Sequence, residues 1–84
     1  MIFQIELGPK AEDVLNKLPK DIALRITKKL YAIAENPFRF LGHIEIDNCY
    51  KLRIEVYRAL IEVDYENKIL IVRMLDKRSR IYKR

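Results

Sequence analysis

Between Lys77 and Arg84 the chain gathers Lys77, Arg78, Arg80, Lys83 and Arg84 around one phenol, Tyr82. Arg78 and Tyr82 are four residues apart. That spacing puts two side chains on one side of either a helix or a strand. Cationic groups beside a titratable hydroxyl suit a phosphate ligand, and phosphate chemistry where the phenol accepts a proton. A second group of cations, Lys51, Arg53 and Arg58, precedes the tail. His43 is the only histidine, and no cluster of ligands stands near it to make a metal site. Acid–base chemistry by a pair of histidines is therefore ruled out. Its expected place is a strand edge. Cys49, the only cysteine, is expected to be a small structural residue, and with no second cysteine in the sequence it forms no intramolecular disulfide.

The elements that must carry these residues follow from periodicity. Ile2–Leu7 is short, partly alternating and rich in strand formers. Gly8-Pro9 punctuates it, and Pro9 fits the first turn of a helix, where its missing N–H costs nothing. Ala11, Val14, Leu15 and Leu18 make an apolar helical stripe that Leu18-Pro19 ends. A second helix opens around Lys20-Asp21 and repeats Ile22, Ala23, Ile26, Leu30 and Ile33 at helical spacing, with Arg25, Lys28 and Lys29 outside. Asn36-Pro37 stops it, because a residue before proline is pushed off helical angles. Two helices joined so tightly form a hairpin. Phe38 to Gly42 reads as a connection whose aromatics plug the end of the core.

From Ile44 onward the period is two. Asp47-Asn48 and Glu66-Asn67 are turn pairs. Tyr50, Leu52 and Ile54 share one face, with Lys51 and Arg53 on the other. Tyr57, Ala59, Ile61, Val63 and Tyr65 oppose Arg58, Leu60, Glu62 and Asp64. Ile69 to Leu75 is apolar on both faces except at Arg73, as a central strand should be. Such short turns demand antiparallel neighbours. The expected fold is α+β: an N-terminal strand, then a helix hairpin packed on a twisted antiparallel sheet of about four to five strands. The first strand belongs beside a later one, at a place the pattern leaves open.

Eighty-four residues allow one domain, spanning 1–84. Half of them are hydrophobic and 35% are charged, which is globular rather than disordered composition. The net charge of +5 lies in the second half, since residues 1–48 hold as many anions as cations. One basic face is the asymmetry of a domain that meets nucleic acid, or simply of a solvated basic surface. The chain has no basic-then-apolar leader and no apolar run near ~18 residues, so a reducing cytoplasm is the expected location.

Tyr50-Lys51-Leu52-Arg53-Ile54, then Tyr57-Arg58-Ala59-Leu60-Ile61, then Ile69 to Leu75 and Lys77-Arg78-Ser79-Arg80-Ile81-Tyr82 resemble, in this order and length, the RelE/ParE toxin superfamily. The likeness is to its RelE-like branch and covers nearly the whole chain. The resemblance implies a toxin of a type II toxin–antitoxin system, a ribosome-dependent endoribonuclease (an mRNA interferase) that cuts messenger RNA in the A site. It implies a cognate RelB-like antitoxin and calls for no cofactor and no metal. The toxin alone is expected to be a monomer, and higher-order with its antitoxin. The family's catalytic positions fall on Lys51, Arg53, Arg58, Arg78 and Tyr82. Lys77, Arg80, Lys83 and Arg84 are expected to bind RNA by general electrostatic attraction.

The chemistry is consistent with those residues. RNA cleaves when a 2′-OH attacks the adjacent phosphorus. Cations neutralise the phosphorane, a large contribution to such reactions. Cations around Tyr82 favour its phenolate and make it a candidate base. Arginine hardly gives up a proton, so Arg78 is read as a charge stabiliser. Two other readings stay open: a ParE-like inhibitor of DNA gyrase, and a non-catalytic basic module that binds RNA. Each site residue also has a structural reading. Lys51 and Arg53 would be edge-strand charges that deter aggregation. Arg58 would pair with Glu62 or Asp64, and Tyr82 would pack the end of the sheet.

Overall fold

A computed structural model describes residues 2–40, 44–46 and 48–77. The expected punctuation is where the chain turns. β1 (Gln4–Leu7) runs into Gly8, and α1 (Pro9–Lys17) starts with proline in its first turn. Leu18 and Pro19 separate α1 from α2 (Lys20–Glu35), and Asn36-Pro37 ends α2. Gly8 donates its N–H to Val72 O at 2.9 Å, and a Cβ there would sit 3.1 Å from the same oxygen. Glycine at this position lets the β1–α1 junction lie directly on the neighbouring strand.

Residues 37–40 differ from the expected plug. They form a short helical turn, α3 (Pro37–Phe40). The buried residue here is Pro37, whereas Phe38 is 56% exposed. Phe38 meets buried Phe3 edge-on, with ring centroids 6.1 Å apart, and stacks on Tyr65 at 5.8 Å. It is thus the outer layer of an aromatic cluster over buried Phe3.

Then come β2 (Ile44–Ile46), β3 (Cys49–Ile54), β4 (Tyr57–Asp64) and β5 (Ile69–Lys77). They form one sheet in the order β1-β5-β4-β3-β2. Neighbours are antiparallel except β1 and β5, which pair in parallel from Gln4↔Ile69 to Leu7↔Val72. Parallel pairing follows from the hairpin of helices between them, which acts as part of a long crossover. β5 is therefore a central strand, as its apolar run requires. α1 lies against β5 and β1, and α2 against β1, on one face of the sheet.

That face holds the core. Ile26, Leu30 and Ile33 of α2 and Ala11 of α1 join Tyr50, Leu52, Ile54, Tyr57, Ala59, Ile61, Val63, Leu70, Val72 and Leu75. Strand alternation fixes the opposite face: Lys51, Arg53, Arg58, Leu60 and Glu62 are half-buried or exposed. β5 departs from strict alternation once. Leu60 pairs with Met74 but Ile61 pairs with Val72, so Arg73 is one residue in excess. This bulge re-phases the strand. Leu70 and Val72 point inward before it, and Leu75 does so after it.

The turns rest on local chemistry. Asn48, Glu55 and Lys68 adopt positive φ (59°, 55° and 57°). At the β4–β5 turn the Asp64 carboxylate accepts from the Asn67 backbone N–H and side-chain amide, both at 3.0 Å. These bonds hold Asp64 below the usual carboxylate range, the side-chain amide contributing most. The left-handed residue here is Lys68, one position past the expected turn pair. The Tyr50 and Tyr65 hydroxyls are hydrogen-bonded to each other. That bond is the main cause of a Tyr65 pKa pushed above its ordinary value, and burial adds to it. His43 and Asp47 lie outside the described residues.

Candidate functional site

Three of the cations singled out in the sequence stand on one surface. Lys51 and Arg53 are outward residues of β3, and Arg58 is the first outward residue of β4. The strand register places Arg53 directly opposite Arg58 and Lys51 opposite Leu60. Directly opposed residues have Cβ atoms roughly 5 Å apart, and diagonal ones roughly 7–8 Å. The three cations therefore share one patch of the outward face near the β3–β4 turn. Arg53 is exposed, Lys51 and Arg58 are half-buried, and the Nε of Arg58 is buried.

On the other side of Arg58 the register places Asp76 of β5. A row Arg53–Arg58–Asp76 thus crosses three strands. Asp76 also accepts the Lys77 backbone N–H at 2.8 Å. The bulge at Arg73 sets the phase that brings Asp76 into this row. Elsewhere on the face the acids have specific partners. Glu62 accepts from Arg73 Nε at 2.7 Å, and Asp64 is engaged by Asn67.

Two guanidinium groups set opposite one another repel, and such a pair is mildly destabilising. An anion seated between them removes the repulsion and finds two forked donors suited to phosphate oxygens. Lys51 adds a compact charge at the diagonal. The arrangement can hold a phosphodiester and stabilise extra negative charge on its oxygens. Lys77, the last residue of β5, is exposed near the same end of the sheet. Arg78, Arg80, Tyr82, Lys83 and Arg84 lie outside the described residues.

A second basic feature adjoins the first. Arg25, Lys28 and Lys29 of α2, with Arg53, Ile54 and Glu55, line an open groove of about 520 Å³. Glu55 accepts from Arg25 through both carboxylate oxygens, at 2.9 and 3.2 Å. Arg53 Nε donates to the Glu55 carbonyl at 3.4 Å. The helical spacing of Arg25, Lys28 and Lys29 was legible, but its approach to residues 53–55 needed the fold. Among the described residues, no group of three or more His, Cys, Asp or Glu side chains is placed to hold a metal ion. No described helix is long and apolar enough to cross a membrane.

Residues 5–82 match the family described as ParE toxin of type II toxin–antitoxin system, parDE. The chain belongs to this toxin family. No curated protein sequence matches it. Solved structures similar to this ParE-family toxin are RelE proteins. A mutant of the Escherichia coli toxin RelE in the free state has a TM-score of 0.81 at 21% identity, over 99% of this chain and 90% of that chain. The RelBE2 toxin–antitoxin complex of Mycobacterium tuberculosis gives 0.79 at 21% identity, over 93% of this chain and 100% of that one. The archaeal RelE–RelB complex of Pyrococcus horikoshii gives 0.76 at 21%, over 95% and 99%. At such identities the likeness is one of fold. The toxin is therefore a RelE/ParE-superfamily member with the RelE architecture.

Proposed function

We propose that this toxin is a ribosome-dependent endoribonuclease that cuts messenger RNA in the A site without a cofactor. The observation that supports the reading is the placement of Lys51, Arg53 and Arg58 on one outward patch, with the two arginines directly opposed across β3 and β4. That surface suits a phosphodiester in the act of gaining charge. In the proposed step the 2′-oxygen attacks phosphorus and gives its proton to the Tyr82 phenolate. The bond from phosphorus to the 5′-oxygen breaks, leaving a 2′,3′-cyclic phosphate. The departing oxygen takes its proton from water. Lys51, Arg53, Arg58 and Arg78 stabilise the phosphorane charge. Lys77, Arg80, Lys83 and Arg84 attract the RNA by charge.

With so few groups for proton transfer, such a site depends on the ribosome to set the RNA in line. Orientation of that kind is worth up to roughly 7–11 kcal/mol. The free protein is accordingly expected to cut naked RNA poorly. The partner is proposed to be a RelB-like antitoxin that covers the basic surface, since RelE proteins of this fold are seen in complexes with RelB. The proposed place of action is the cytoplasm.

The family description favours a second reading, a ParE-like gyrase inhibitor that needs no catalytic residues. Toeprinting of stalled ribosomes in a purified translation system separates the two. Cleavage within A-site codons, lost in Arg78→Ala and weakened in Tyr82→Phe, is the outcome expected of the nuclease. Inhibited supercoiling with intact messenger establishes the gyrase reading instead.

A further inference from the structure

Glu55 occupies a position that glycine would fill more easily. It is the first of two residues, Glu55 and Val56, that join β3 to β4, and its φ is 55°. A left-handed angle costs a side-chain-bearing residue stability, and glycine is the usual choice in such turns. The carboxylate accounts for the exception: it grips Arg25 of α2 in a two-pronged contact. Yet both members of the pair are open to water, with side-chain exposures of 54% and 48%. An ion pair so exposed holds the fold together only weakly. It leaves one negative group lying in a groove with Arg25, Lys28, Lys29 and Arg53.

We infer that this groove is a second phosphate-binding site, for the backbone of single-stranded RNA, and that the Glu55 carboxylate is its resting occupant, displaced when RNA binds. The inference rests on the reading of the sheet face as an RNA site. Arg53 belongs to both places: it lines the groove and opposes Arg58 on the sheet. One nucleic-acid strand can therefore run from the reacting phosphate past Arg53 and around the β3–β4 turn to α2. A nucleic acid fits the groove better than an acidic peptide. Among the described residues its only apolar lining side chain is Ile54, which is buried, whereas protein interfaces are anchored by apolar and aromatic groups at their centre. Backbone phosphates need only the cations. Glu55 would lower the affinity of the resting toxin for stray RNA.

The test is fluorescence anisotropy with a labelled, uncleavable 2′-O-methyl RNA of about twelve nucleotides, read across a salt series. Lys28→Ala/Lys29→Ala leaves the Arg25–Glu55 contact in place. It is expected to weaken binding about tenfold and to flatten the slope of log K against log salt by roughly 1.4, two contacts at about 0.7 each. Glu55→Gln is expected to tighten binding several-fold. Glu55→Gly should do the same while relieving the left-handed strain, which guards against a folding artefact. Unchanged RNA affinity and slope in the lysine variant, or weaker binding in both Glu55 variants, overturns the inference. So does a poly-glutamate peptide that outcompetes the RNA for the groove, which would mark it as a protein interface. If the groove results hold but wild-type toxin leaves messenger intact on ribosomes, the nuclease reading fails alone.

Discussion

The two faces of the β3–β4 pair are built from alternate residues of the same strands, yet they answer to different demands. Inward, Tyr50, Leu52, Ile54, Tyr57, Ala59, Ile61 and Val63 are all buried and packed under the helices. Outward, Lys51, Arg53 and Arg58 stand side by side, with Asp76 of β5 beyond Arg58. The first face packs the core. The second is the surface proposed above to meet RNA. A period of two thus gives fourteen residues one buried face and one face turned outward.

The sharpest way to break that contrast is to damage the inward face. Ile61 is fully buried, and Ile61→Ala is expected to cost about 2–5 kcal/mol in urea denaturation, taking activity down only through loss of folded protein. Arg58→Ala should do the reverse. The proposed ribosomal cleavage is expected to fall by roughly 10²–10³, with a stability loss well below that of Ile61→Ala. A loss of stability as large as that of Ile61→Ala would turn Arg58 into a structural residue.

The far end of the sheet sharpens the contrast, because there the polar groups serve the fold. Tyr65→Phe removes the hydroxyl contact with Tyr50 and should cost about 1 kcal/mol near neutral pH. The folded-state pKa of Tyr65 is raised. Its contribution is therefore fully present below the unfolded tyrosine value, about 10, and is lost as pH rises through the folded value. Alkaline melting curves of the variant should be flatter than those of wild type. The smallest effect belongs to Asp64. Its folded pKa is lowered by Asn67, so its contribution is present above the unfolded carboxylate value and fades as pH falls through the folded one. Asp64→Ala should lose stability at neutral pH and converge on wild type in acid, without touching RNA cleavage.

Much of this division was legible in the sequence. Pro9, Pro19 and Pro37 marked helix boundaries because proline constrains its own φ and its neighbour's backbone wherever it stands. The alternation from Tyr50 to Tyr65 assigned the faces, and with them the common surface of Lys51, Arg53 and Arg58. The rest depended on contacts between distant segments. The parallel slot of β1 is fixed by packing against β5. Ile69 to Leu75 is so uniformly apolar that its pattern hid the phase change at Arg73, and therefore the place of Asp76. Phe38 was expected to help plug the end of the core, but it is 56% exposed and stacks on Tyr65, while Pro37 is buried. The groove joins residues 25–29 to 53–55, which only the closed fold brings together.

The pairing of β1 with β5 also sets a clock. Gln4 waits for Ile69, so β1 stays unpartnered in the sheet until β5 has been made. A fragment that lacks β5 cannot close the sheet under its helices. The folded form of the toxin therefore arises only after β5 has joined the rest, and a truncation before Ile69 should leave a harmless product.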